Sequence, residues 1–130
     1  MKIIKVVAAI IKKDNLVFVS QRGYGEFKDK WEFPGGKIEA NESKEEALKR
    51  EIKEELDASI NIIENLKSIE YDYPNFHLIM DVFLCHLNNP HLELKEAENA
   101  KWIKKEEINQ LDWLPADKLL VKDLEEELFK

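Results

Sequence analysis

Between Trp31 and Ser59 the chain reads WEFPGGKIEANESKEEALKREIKEELDAS, and this stretch restricts the fold more than any other. A Pro34-Gly35-Gly36 turn runs into a segment with helical periodicity. Ser43 is placed to cap that segment, and Glu46 three residues later completes a capping-box pattern. At 100° per residue, Leu48, Ile52 and Leu56 fall on one stripe, which must face a core. Glu51, Glu54 and Glu55, spaced i, i+3, i+4, fall together on an adjacent face. Like charges so close cost an isolated helix roughly 0.2–0.5 kcal/mol a pair. Lys44, Lys49 and Lys53 lie mostly elsewhere on the wheel. Two readings stand on composition alone: a solvated acidic face, or oxygen ligands for a hard cation, Mg²⁺ or Mn²⁺.

The rest of the chain supplies something for this helix to pack on. IIKVVAAII near the N-terminus, in Met1 to Ile11, and LVFVS at Leu16 to Ser20 read as strands joined by a turn in Lys12 to Asn15. Gln21 to Lys30 reads as a loop. Ile62 to Tyr73 and Phe76 to Leu87 alternate apolar and polar residues around Pro74-Asn75 and read as two more strands. Asn88 to Asn99 reads as a loop, Ala100 to Ile103 as a short strand and Lys104 to Leu111 as a helical turn. Pro115 opens a final amphipathic helix over Ala116 to Phe129. Two strand groups separated by one helix, with another helix at the end, imply an α/β (α+β) sandwich. A length of 130 residues suits one domain over residues 1–130.

Charge and cysteine content narrow the function classes. With 27 acidic against 20 basic residues, the chain lacks the basic footprint of a nucleic-acid binder, so no polymeric nucleic acid is expected as partner. A polyanionic small molecule remains compatible if divalent cations lie between it and the carboxylates. No apolar run is long enough to span a bilayer. No signal-peptide pattern is present, and the lone Cys85 sits in an apolar strand; a cytoplasmic location is the expectation. Neither feature implies a membrane partner, and a monomer or homodimer is expected.

Gly36, five residues, Glu42, seven residues, then Arg50-Glu51-Ile52-Lys53-Glu54-Glu55 is similar to the Nudix box at all its charged positions. The chain therefore resembles the Nudix hydrolases, and within them the MutT-type nucleoside triphosphate pyrophosphohydrolases. WEFPGGKIE, IEYDYPNFHLIMDVFLC and LDWLPADKLL extend the likeness over most of the chain. The box ordinarily closes with glycine and an aliphatic residue; here Asp57 and Ala58 stand in those places. That departure bears on how the helix ends and leaves the carboxylates intact.

The resemblance implies a Nudix fold, with a mixed sheet between helices. It also implies Mg²⁺-dependent hydrolysis of (deoxy)nucleoside triphosphates to a monophosphate and pyrophosphate, Mn²⁺ being the other candidate ion. Oxidised purines such as 8-oxo-dGTP are the first substrate expected, and CTP or a modified dCTP the second. An ADP-ribose or dinucleoside polyphosphate hydrolase and a non-catalytic nucleotide sensor are the rival readings. By position, Glu51, Glu54 and Glu55 are implied as metal ligands together with the Gly35 carbonyl. Glu51 is also implied in orienting or deprotonating the water, Glu42 in a secondary catalytic role, and Arg50 in holding the carboxylates. Glu96 aligns with a distal metal-ligating acid; a solvated loop acid is its plain alternative. Arg22 is implied as a phosphate contact, or is a surface arginine. Asp117 reads the base or caps the last helix. Phe33 stacks on the base or fills the core. Phe76 stands where relatives carry a polar base contact. Trp102 and Trp113 are expected to be buried. His77, His86 and His91 share no ligand spacing and are expected to be structural or exposed.

Overall fold

The computed structural model describes residues 2–129; Met1, in the expected first strand, and Lys130 lie outside the described residues. Seven strands, β1 Lys2–Lys13, β2 Leu16–Gln21, β3 Trp31–Glu32, β4 Gly35–Lys37, β5 Ile60–Tyr73, β6 Phe76–Leu87 and β7 Asn99–Ile103, join in a mixed sheet. Helix α1 spans Lys44–Leu56 and α2 spans Pro115–Leu124.

β1 is the axis of the sheet. It runs parallel to β6 over Lys2–Ile11 and antiparallel to β4, where Val7 faces Gly36 and Ala8 faces Gly35. The unbroken apolar run Val6 to Ile11 is explained by burial on both faces. Val7, Ala9 and Ile11 pack with Ala47, Leu48, Ile52 and Leu56 of α1. Ala8 and Ile10 turn the other way, into a cluster with Trp113, Leu120 and Leu124. The expected sandwich is present, with α1 over one face and α2 over the other.

The expected capping box is formed. The Glu46 N–H donates to Ser43 Oγ at 3.1 Å, and the Ser43 N–H donates to Glu46 Oε1 at 2.8 Å. The stripe of Leu48, Ile52 and Leu56 is buried as the periodicity requires.

Several boundaries differ from the sequence reading: β2 runs to Gln21, β5 begins at Ile60 and β7 at Asn99, one or two residues beyond the expected ends. The first hairpin turns on Asp14-Asn15 alone, with β1 continuing through Lys13, because Asp14 adopts a positive φ of 55°. The Pro-Gly-Gly segment is flanked by β3 and β4, each too short to show alternation. The helical turn after β7 is a 3-10 turn, Lys105–Gln110. The last helix stops at Leu124, and Glu127–Phe129 forms a separate 3-10 turn that returns Leu128 to the core.

Ile52 is fully buried beneath α1, so Ile52→Ala should cost about 2–5 kcal/mol of stability. Chemical denaturation of both proteins checks this, with a lowered midpoint at unchanged slope as the expected result.

Candidate active site

α1 presents its carboxylates around one guanidinium. Arg50 Nε and Nη2 donate to Glu42 Oε2 and Oε1 at 2.6 and 2.9 Å, a two-point bridge. Nη1 donates to Glu51 Oε1 at 3.0 Å and to Glu54 Oε2 at 3.2 Å, and Nη2 also donates to the Lys37 carbonyl at 3.0 Å. The Glu39 N–H donates to Glu42 Oε1 at 2.8 Å. Glu42 is thus occupied by Arg50 first and by this backbone donor second, and its pKa is held down at about 2. Its contacts are to protein, which makes it an anchor for Arg50.

Gly35 and Gly36 are required by space, each for a different reason. A Cβ on Gly35 would overlap the Val7 carbonyl and the Ala8 Cα of β1. A Cβ on Gly36 would overlap the Glu51 carboxylate. The first glycine seats the turn on the sheet, and the second leaves room for the side chain of α1. The Ala9 N–H donating to the Pro34 carbonyl at 2.8 Å fixes the turn from the other side.

These pieces open on a cavity of about 660 Å³. One end is acidic: Glu51 and Glu55 from α1, Glu96 from the loop after β6, and Gly35 and Gly36. The other end is lined by Phe33, Tyr73, Phe76, Leu78, Met80 and Asp117. Arg22 and Glu32 also line the cavity. Glu54 does not line it; its side chain is 54% exposed and pairs with Arg50. Glu55 is pushed up to about 9, by burial foremost and then by the charges of Glu51, Glu32 and Glu96. Glu51 is raised for the same leading reason, against the pull of Arg50.

The family profile for the NUDIX domain matches residues 1–130. This chain belongs to the Nudix hydrolase family. It is 35% identical over 120 residues to the CTP pyrophosphohydrolase of Escherichia coli K12, covering 90% of this chain and 87% of that protein. It is 29% identical over 126 residues to the 8-oxo-dGTP diphosphatase of the same organism, covering 95% and 98%. The MutT NUDIX hydrolase of Burkholderia pseudomallei shares the fold, with a TM-score of 0.84 over 94% of this chain and 98% of that one at 23% identity.

As a Nudix pyrophosphohydrolase, the protein acts on a small nucleotide-type substrate with a divalent metal. The residues present fit such an ion. Glu51, Glu55 and Glu96 offer oxygen donors suited to a hard cation, and the room left by Gly36 keeps the Glu51 carboxylate in place. Burial raises the pKa of Glu51 and Glu55, and a cation beside them would reverse that cost.

At the opposite end, several expectations for the Nudix site are sharpened. Asp117 is buried in the first turn of α2, where its Oδ2 accepts the Phe33 N–H at 2.8 Å; the side chain points inward and does not cap the helix. Phe33 is 3% exposed and stacks on Trp113 at 5.0 Å, so one ring face is already covered. Phe76 lines the cavity and stacks on Tyr73 at 4.9 Å. Arg22 also lines it but is bridged by Nε and Nη2 to Glu32 at 3.0 and 2.7 Å. Trp113 is buried as expected, and Trp102 is partly buried against Phe18. Glu32 and Tyr73 were not anticipated. Tyr73 shows no motif; its Oη accepts the Ala116 N–H at 3.3 Å. Glu32 was hidden in the WEFPGG run, where its pairing with Arg22 depends on β2 and β3 being neighbours.

Gly35→Ala should destabilise the fold, because backbone stands in the way. Gly36→Ala should leave the melting temperature within a few degrees but lower turnover, because it displaces the Glu51 carboxylate. Thermal melts and nucleotide turnover of the two variants check this contrast. Burial first, and the charge of Glu32 second, push the Asp117 carboxyl up to about 8. The folded chain then holds a proton that the unfolded chain releases near pH 4. The stabilisation is full below that range and is lost as pH rises through about 8. Melting temperature between pH 5 and 9 should therefore fall more steeply in the wild type than in Asp117→Asn.

Proposed function

We propose that this Nudix enzyme is a Mg²⁺-dependent nucleoside triphosphate pyrophosphohydrolase, with Mn²⁺ as a competent substitute. The observation that carries this reading is the single cavity joining an acidic end to an aromatic end with a buried carboxyl. Its volume of about 660 Å³ lies within the range of small-molecule sites. A triphosphate placed along it puts phosphates at Glu51, Glu55 and Glu96 and the base among Tyr73, Phe76 and Asp117. Oxidised purines such as 8-oxo-dGTP are the first substrate class proposed. CTP or a modified dCTP is the second, favoured by the 35% identity to a CTP pyrophosphohydrolase.

Water adds to phosphorus, the bridging P–O bond breaks, and monophosphate and pyrophosphate leave. A bound divalent cation supplies neutralisation of the phosphate charge and a more acidic water. Glu51, held by Arg50 at one oxygen, orients the water and takes its proton. Glu54, Glu55, Glu96 and the Gly35 carbonyl complete the proposed ligand set. Arg50 fixes Glu51 and Glu54 relative to each other, which preorganises the site. Arg22 holds Glu32 in the cavity wall and offers its remaining donors to phosphate.

Incubation with Mg²⁺ and a panel of nucleotides, with phosphorus products identified by ³¹P NMR, tests the reading. Pyrophosphate released from triphosphates is the expected result. Tight nucleotide binding without turnover of any panel member would contradict it. Glu54→Gln should lower kcat on the order of 10²-fold or more with an unchanged melting temperature.

A further inference from the structure

Asp57 occupies the place of the family's closing glycine, and the structure shows what holds it there. It ends α1 in the left-handed region, φ 49° and ψ 35°, with its N–H donating to the Lys53 carbonyl at 3.0 Å. Glycine reaches that conformation more readily than aspartate. Both carboxylate oxygens of Asp57 are engaged. Lys53 Nζ lies 2.8 Å from Oδ1, and His91 Nε2 lies 2.9 Å from Oδ2.

His91 belongs to the loop between β6 and β7, which also carries Glu96 to the cavity. That loop binds the open end of α1. The Glu93 N–H donates to the Leu56 carbonyl at 2.7 Å and the Lys95 N–H to the Glu55 carbonyl at 2.9 Å. Both carbonyls belong to the last turn of the helix, which has no intrahelical partners left for them. Glu96 thus follows a residue whose backbone is bonded to the backbone of Glu55. At the far end of the loop, the Glu98 N–H donates to the Gln21 carbonyl at 3.0 Å. Gly23 permits that approach, since a Cβ there would come within 2.9 Å of the Glu98 Cβ.

We propose that the Asp57–His91 contact is a clasp that positions Glu96 opposite Glu51 and Glu55, so that both members are positioning residues for the cation site. This inference rests on the ligand role given to Glu96 in the proposed function. Glycine at position 57 would end the helix equally well but leave the loop without its side-chain anchor. Asp57, His91 and Glu93 also place three donor atoms within 4.8 Å of one another. The Lys53 ammonium on Asp57 Oδ1 marks this group as a hydrogen-bonded clasp and not a second cation site.

Mn²⁺ binding to the full chain without nucleotide, measured by titration calorimetry beside thermal melting, tests the clasp. Asp57→Gly and His91→Ala should each weaken Mn²⁺ binding about two- to fivefold, the size expected of a partly exposed pair. Asp57→Gly should keep the wild-type melting temperature, and Asp57→Asn, which still accepts a hydrogen bond from His91, should retain most of the affinity. The double variant should bind no more weakly than either single variant. Wild-type affinity in Asp57→Gly and His91→Ala, with weakened binding in Glu96→Gln, would overturn the clasp alone. Wild-type affinity in Glu96→Gln would instead overturn the ligand role of Glu96, and the clasp with it.

Discussion

The site depends on one guanidinium among too many carboxylates. Helix α1 carries Glu51, Glu54 and Glu55 within one turn, and Glu42 precedes it. Left alone, these charges would repel one another or spread into solvent. Arg50 collects three of them, Glu42 at two points and Glu51 and Glu54 through Nη1. It also reaches the Lys37 carbonyl, which links the helix to the strand carrying Gly35 and Gly36. Arginine suits this work because its donors form a fixed planar fork. Glu55, which Arg50 does not touch, has its pKa raised by burial, a cost that a cation beside it would offset.

The surrounding fold serves this arrangement by fixing α1 against β1. Buried Leu48, Ile52 and Leu56 set the helix height and rotation over Val7, Ala9 and Ile11. Gly35 then sets how closely the Pro-Gly-Gly turn approaches β1, and Gly36 leaves room for the Glu51 side chain of α1. The opposite face of the same strand packs on α2, where Asp117 hydrogen-bonds to Phe33. One strand thereby aligns the acidic end of the cavity with its aromatic end. The loop carrying Glu96 adds to the cavity wall and is tied to the helix terminus by backbone and side chain.

Much of this was legible in the sequence because it is local. The capping box, the apolar stripe and the grouping of carboxylates follow from helix geometry. The spacing from Gly36 to Glu55 carried the family. What was not legible depends on contacts between distant segments. Glu96 lines the cavity because its loop is bonded to Leu56 and Glu55, a contact that no local pattern shows. Glu32 and Tyr73 line the cavity only because β3 lies beside β2 and β5 beside β6. Phe33 lines the cavity and stacks on Trp113 from a distant segment, a pairing that no local pattern shows. His91 has no ligand spacing with the other histidines, and its partner Asp57 lies 34 residues earlier. The last helix was read too long because its amphipathic pattern continues through Leu128, which reaches the core from a 3-10 turn.

Arg50→Lys tests the central claim most directly, because lysine keeps the charge but loses the fork. Steady-state turnover of the best triphosphate with saturating Mg²⁺ is the measurement. A fall in kcat on the order of 10²-fold, with KM and melting temperature little changed, is the result predicted. A wild-type kcat in Arg50→Lys would contradict the account, since Glu51 and Glu54 would then hold their places without that guanidinium.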